Sequence, residues 1–138
     1  MKKPFFVVGL IPANGSYYSD TDIPLVRART LSITARVKFH ASATNNATVY
    51  LYYSPDGIHW DTIAYTSFDL TLSAGNYVQR TVPIDVPEHG YVKVQVANND
   101  SSYPITEVQC WYTIQSWDRE PARGVITRDV GIEEEKGE

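Results

Sequence analysis

Ala47-Thr48-Val49-Tyr50-Leu51-Tyr52-Tyr53-Ser54-Pro55-Asp56-Gly57-Ile58-His59-Trp60-Asp61-Thr62-Ile63-Ala64 reads as a strand, a tight turn and the start of a returning strand. From Ala47 to Tyr53 the side chains alternate, so that Val49, Leu51 and Tyr53 share one face and Thr48, Tyr50 and Tyr52 the other. In Ser54-Pro55-Asp56-Gly57 the proline presets φ, Asp56 can accept bonds from nearby amides, and Gly57 tolerates the positive φ that ends such a turn. The fold class that follows is β.

The same period extends on both sides. Thr30 to His40 sets Leu31, Ile33, Ala35, Val37 and Phe39 against Ser32, Thr34, Arg36, Lys38 and His40, the pattern of a half-buried antiparallel strand. Thr62 to Leu72 continues as strand with weaker alternation. Tyr77 to Val86 points Val78, Val82 and Ile84 inward, with Arg80 marking an expected strand end or bulge. Pro83 and Pro87 withhold ladder donors and argue for an edge strand or one that leaves the sheet early. Tyr91 to Ala97 buries Val92, Val94 and Val96; Asn98 to Tyr103 reads as a polar loop. Ile105 to Trp117 puts Val108, Cys110, Tyr112 and Ile114 on one face, with Glu107, Gln109, Trp111, Thr113 and Gln115 on the other.

Short strands at regular intervals, separated by turns and without helical periodicity, describe an antiparallel β-sandwich of jelly-roll or immunoglobulin-like type. Its expected core is 30–117. Residues 1–29 read as an N-terminal arm and loop, punctuated by Pro12 and Asn14-Gly15, and 118–138 as a C-terminal arm in which Val125 to Ile132 could add a strand before an acidic tail. Phe5, Phe6 and Val7, with Val125 and Ile126, are the expected arm contacts. The apolar run after Met1-Lys2-Lys3 has some features of a secretory leader, but flanking prolines favour a retained arm or edge strand.

The 138 residues suit one domain, and the single cysteine, Cys110, excludes an internal disulfide. A composition 43% hydrophobic and 20% charged is that of a globular chain, and a net charge of −4 lacks the basic footprint of a nucleic-acid binder. No stretch is long and apolar enough to span a bilayer as a helix. His40, His59 and His89 show no metal-ligand spacing and no triad arrangement, and no Gly-rich phosphate loop is present. Cys110 falls on an inward face, where a thiol acts as a small hydrophobe. Asp20-Thr21-Asp22 lacks the further ligands of a calcium loop and reads as solvated. The expectation is a protein without catalytic residues, cofactor or metal, with neither nucleic acid nor membrane as partner.

Ser54-Pro55-Asp56-Gly57-Ile58-His59-Trp60 resembles the Asp-box of sialidase-type propellers, but it is one residue short between Asp and Gly and occurs once, whereas a propeller repeats its motif in every blade. Preceded by a Tyr-rich strand and followed by Gly90-Tyr91-Val92-Lys93-Val94-Gln95-Val96-Ala97-Asn98-Asn99, the same string also resembles small β-sandwich proteins of tailed-phage virions, among them head decoration and tail-associated domains. That resemblance covers roughly 30–117. It implies a non-catalytic structural role. The function expected on that basis is a capsid decorating or stabilising protein that joins neighbouring subunits through its arms and an aromatic outer face, with a major capsid or other virion protein as partner and a homo-oligomer, such as a trimer, as its state.

Tyr50, Tyr52, Tyr91 and Trp111 all point away from the expected core. If they cluster, they mark a contact site. They could pack beneath a second layer, meet another subunit, or form a stacking platform for a carbohydrate beside Gln95, Gln109 and Asn98, the last implying an extracellular or cell-surface module. Whether they cluster depends on strand order.

Overall fold

Nine strands are recognisable in the computed structural model, which describes residues 3–117: β1 Phe6–Val8, β2 Ser16–Tyr18, β3 Ile23–Val26, β4 Ala28–Phe39, β5 Ala47–Ser54, β6 Thr66–Leu70, β7 Tyr77–Asp85, β8 His89–Asn98 and β9 Ile105–Ser116. They form two antiparallel sheets. One has the order β1, β9, β4, β7; in the other β8, β5 and β6 are neighbours, and β2 and β3 together make the edge beyond β8. The expected C-terminal arm, with Val125 and Ile126, lies outside the described residues.

Four sets of pairings are nested around the loop 55–65: β5 with β6, β4 with β7, β3 and β2 with β8, and β1 with β9. The chain is therefore one long hairpin rolled on itself. The roll is closed by β4 lying against β9 and β5 against β8. This is the jelly roll of the two architectures expected, since an immunoglobulin-like sandwich pairs its strands in a different order.

The alternation of β4 is realised in full: Leu31, Ile33, Ala35, Val37 and Phe39 are buried. They face Val49, Leu51, Val92, Val94 and Val96 of the other sheet in one continuous apolar cluster. β7 is an edge strand, as its prolines require, but no bulge occurs at Arg80; the register with β4 runs unbroken through Ala35 opposite Arg80. At an edge the long side chain can leave the core. Arg80 reaches β6, donating to the Asp69 carbonyl at 2.9 Å and lying 5.6 Å from the Phe68 ring centroid, so its guanidinium closes the open side between the sheets.

Two segments differ from their sequence reading. The returning strand β6 begins only at Thr66, because Asp61 N bonds to Tyr53 O and Tyr65 N to Leu51 O in a wide loop rather than a tight hairpin. The segment read as an N-terminal arm and loop is laid along both sheets: its apolar run is the edge strand β1, one of the two forms expected of it, and β2 and β3 were not expected. Phe6 sits opposite Cys110 and is buried, as are Ile11, Ile23 and Leu25. Proline and Asn14-Gly15 keep these strands short, but the buried side chains hold them to the core.

The polar loop after β8 turns the side chains of Asn98 and Asp100 inward and ties a knot around them. Asp100 is 1% exposed. Its carboxylate accepts from the Thr44 amide at 2.6 Å, from the Ser102 and Tyr103 amides at 2.8 and 2.9 Å, and from the Thr44 hydroxyl at 3.2 Å. Asn98 Nδ2 donates to the carbonyls of Ile11, Pro12 and Tyr103. Three loops at one end of the sandwich are thus tied to one another. The amides, that of Thr44 foremost, hold the Asp100 pKa well below the usual carboxylate range.

A carboxyl group depressed in the folded state contributes stability that is complete above the unfolded pKa of about 3.9 and is lost as the pH falls through the folded value. Asp100→Asn is therefore expected to lower the melting temperature at neutral pH and to flatten the decline of stability below about pH 4, measured by calorimetry across that range; an unchanged acid slope contradicts the assignment. At Gly90 the φ is 119°, and an added Cβ would meet the Tyr53 side chain and lie 2.7 Å from Ser54 O. Gly90→Ala should cost about 1–3 kcal/mol in urea unfolding, whereas Gly9→Ala, with open space around it, should stay within about 0.5 kcal/mol.

Candidate contact surfaces

Register fixes which outer residues meet. Across the β2–β8–β5–β6 sheet, Tyr18 lies opposite Gln95, Gln95 opposite Tyr50, and Tyr50 opposite Ser67; one row along, Lys93 lies opposite Tyr52. Tyr50, Tyr52 and Gln95 thus share one face. Tyr91 is further along it, opposite Ser54, with its ring over Gly57, where an added Cβ would be 3.3 Å from Cδ2.

Trp111 and Gln109 belong elsewhere. They lie opposite Thr34 and Arg36 on the outer face of the other sheet. There Arg36 stacks 4.1 Å from the Tyr77 ring centroid, and the Tyr77 hydroxyl donates to Glu107 at 2.5 Å, which raises the tyrosine pKa. Of the expected arm contacts, Phe6 is in the core, Phe5 packs edge-on to Tyr112 at 5.2 Å, and Val7 is exposed opposite Gln109.

Two residues that sequence reasoning did not select complete the Tyr52 face. Tyr18 comes from β2 and lies 5.8 Å from the Tyr52 ring. Trp60 comes from the loop 55–65, which folds back so that Lys93 Nζ lies 4.6 Å from its ring centroid and 4.5 Å from that of Tyr18. The Tyr52 hydroxyl donates to Gln95 Oε1 at 3.3 Å, and Gln95 Nε2 donates to Ser16 Oγ at 3.0 Å. Burial, and secondarily the neighbouring Tyr18, raises the Tyr52 pKa.

The loop carrying Trp60 is held by its own side chains. Ser54 Oγ accepts from the amides of Asp56 and Gly57, and Asp56 Oδ1 accepts from the amides of Ile58 and His59 at 2.8 Å each. His59 Nδ1 lies 2.6 Å from Asp56 Oδ2, and the His59 amide and ring are the leading causes of a depressed Asp56 pKa. Gly57 takes the positive φ expected of it, 81°.

A second surface lies at the end of the sandwich where β3 passes to β4, β5 to β6 and β7 to β8. Ile63 is 81% exposed, Ile58 76%, Val26 66% and Trp117 56%. Tyr65 is anchored there, its hydroxyl donating to the Asp85 carbonyl at 2.8 Å. The other titratable groups are scattered: His40 stacks on Tyr103 at 4.9 Å, His89 opens β8, and the buried Cys110 thiol is pushed up to about 12 by desolvation. Among the described residues no cluster of His, Cys, Asp or Glu could hold a metal ion.

No protein-family model matches the sequence, and no curated protein matches it. Solved structures share its fold. The N-terminal endo-1,4-beta-D-xylanase 10B of Clostridium thermocellum, with its CBM22-1 and GH10 modules and bound xylohexaose, aligns at a TM-score of 0.53 and 11% identity over 88% of this chain, which spans 28% of that chain. A family 16 carbohydrate-binding module aligns at 0.48 and 13% identity, covering 78% of this chain and 74% of that one. A chain of the Cowpea mosaic virus top component aligns at 0.45 and 12% identity, covering 91% and 92%. The structural neighbours thus include both carbohydrate-binding modules and viral capsid proteins with β-sandwich folds.

Proposed function

We propose that the chain is a non-catalytic structural protein of a virion, a decorating or stabilising subunit at the particle surface. It joins a neighbouring subunit through the end of the sandwich that carries loop 55–65. The observation that carries this reading is the chemistry of that end: Ile58, Ile63 and Val26 are aliphatic and more exposed than the aromatic residues of the sheet faces. Exposed aliphatic groups gathered at one end suit burial against another protein subunit, here a second copy of this chain. The loop is pre-set by Ser54 and Asp56, so little ordering entropy is lost on docking. The sequence resemblance of 30–117 to tailed-phage virion proteins supports the same reading.

A carbohydrate-binding or adhesin module at a cell surface is the second reading, favoured by the gathering of Tyr18, Tyr52 and Trp60 around Lys93.

Light scattering on the full-length chain tests the first reading. The wild type is expected to be oligomeric, and Ile58→Asp with Ile63→Asp to be monomeric, each carboxylate weakening association by roughly tenfold or more because it is buried unpaired. Unfolding stability of the double variant should stay within about 0.5 kcal/mol of wild type. A wild type that is monomeric throughout, or an oligomer indifferent to both substitutions, contradicts it.

A further inference from the structure

The outer face of the β2–β8–β5–β6 sheet combines a cation, which no carboxylate among the described residues pairs, with aromatic rings already fixed in place. Lys93 has no carboxylate within ion-pair distance among the described residues, and no acceptor there takes its three ammonium protons. The ammonium instead lies between the rings of Tyr18 and Trp60, at 4.5 and 4.6 Å from their centroids. Such a group is partly stripped of water, so an arriving anion gains more from it than from a fully solvated lysine.

We propose that this face binds an acidic saccharide, a chain or terminal residue of uronate type. Its carboxylate would take the charge-assisted hydrogen bonds of Lys93, and the C–H face of the pyranose would stack on the Tyr52 and Tyr18 rings. Gln95 and Tyr50, side by side on the neighbouring row, offer amide and hydroxyl groups to the sugar hydroxyls. The hydrogen bonds from Tyr52 to Gln95 and from Gln95 to Ser16 hold this polar set before any ligand arrives. Rigid rings with a fixed amide fit a flat pyranose better than an acidic peptide, which would need its backbone bonded as well, and better than a polyphosphate, which has no C–H face to lay on them. The two surfaces meet at loop 55–65, which carries Trp60 as well as Ile58 and Ile63, but Lys93, Tyr52 and Tyr18 belong to the sheet, so substitutions there and at the two isoleucines separate sugar binding from subunit contact.

The test is titration of the full-length chain with oligogalacturonate and oligomannuronate, and with their methyl esters, which keep the ring and remove the charge. Tryptophan fluorescence is the readout, with Trp60→Phe identifying the reporter among the three tryptophans. At least one acid is expected to bind, with a loss of about tenfold or more on esterification and a similar loss in Lys93→Gln, as for a charge-assisted contact. Tyr52→Ala should abolish binding, and Thr113→Ala on the opposite sheet should leave it unchanged. Circular dichroism and melting temperature confirm that each variant is folded. Absence of binding by either acid, equal binding of acid and ester, binding unaffected by Lys93→Gln, or selection of an acidic peptide such as oligoglutamate over both uronates overturns the proposal.

Discussion

The eight residues of β5 pair in register with β8, from Ala47 opposite Asn98 to Ser54 opposite Tyr91. These segments are far apart in sequence, Tyr52 and Gln95 being 43 residues apart. Such a pairing forms only after the chain between them has closed a long loop, and its conformational cost is offset by the apolar groups that the closure buries. Val49, Leu51, Val92, Val94 and Val96 occupy the inner side of this ladder and are buried. The period of a strand then dictates the outer side. With Val94 and Leu51 turned inward, Lys93 and Tyr52 can only point outward, opposite each other.

A register slip of one residue would set Leu51 opposite Lys93 or Gln95, and because opposite residues share a face, either a polar side chain would enter the core or Leu51 would be left in water. The Asn98 and Asp100 knot sits at one end of the ladder and opposes such a slip, because its hydrogen bonds fix where β8 stops relative to Ile11, Thr44 and Tyr103. At the opposite end Gly90 allows β8 to approach Tyr53 and Ser54, which a side chain would prevent. Together they fix the register from both ends. The positions of Tyr18 and Trp60 follow, the first by pairing of β2 with β8, the second through the loop that leaves β5.

The strands with clean alternation were legible in the sequence. Thr30 to Phe39 and Tyr91 to Ala97 bury the residues their pattern assigns, and Pro83 correctly signals an edge. Short polar segments were less legible: Ser16–Tyr18 has three residues, too few for a period to show, whereas Phe6–Val8 was signalled by the apolar run around it. The outer aromatics illustrate a different limit. Periodicity says that Tyr50, Tyr52, Tyr91 and Trp111 face outward, but strands of two sheets have two outsides, and only strand order sends Trp111 away from the others. Trp60 and Lys93 carry no signal alone, since one sits in a loop and the other reads as an ordinary solvated cation. Asp100 was hidden because a buried, fully bonded carboxylate and a solvated one have the same sequence environment.

Two surfaces of different chemistry result: an aliphatic end suited to protein contact and an aromatic, cationic sheet face suited to an acidic ring. Backbone amide chemical shifts recorded over a dilution series of the full-length chain test this division most directly. The account predicts concentration-dependent shifts at Val26, Ile58, Ile63 and Trp117, with Tyr18, Tyr52 and Lys93 unmoved. Shifts centred on Lys93 and Tyr52, or none anywhere, would contradict it.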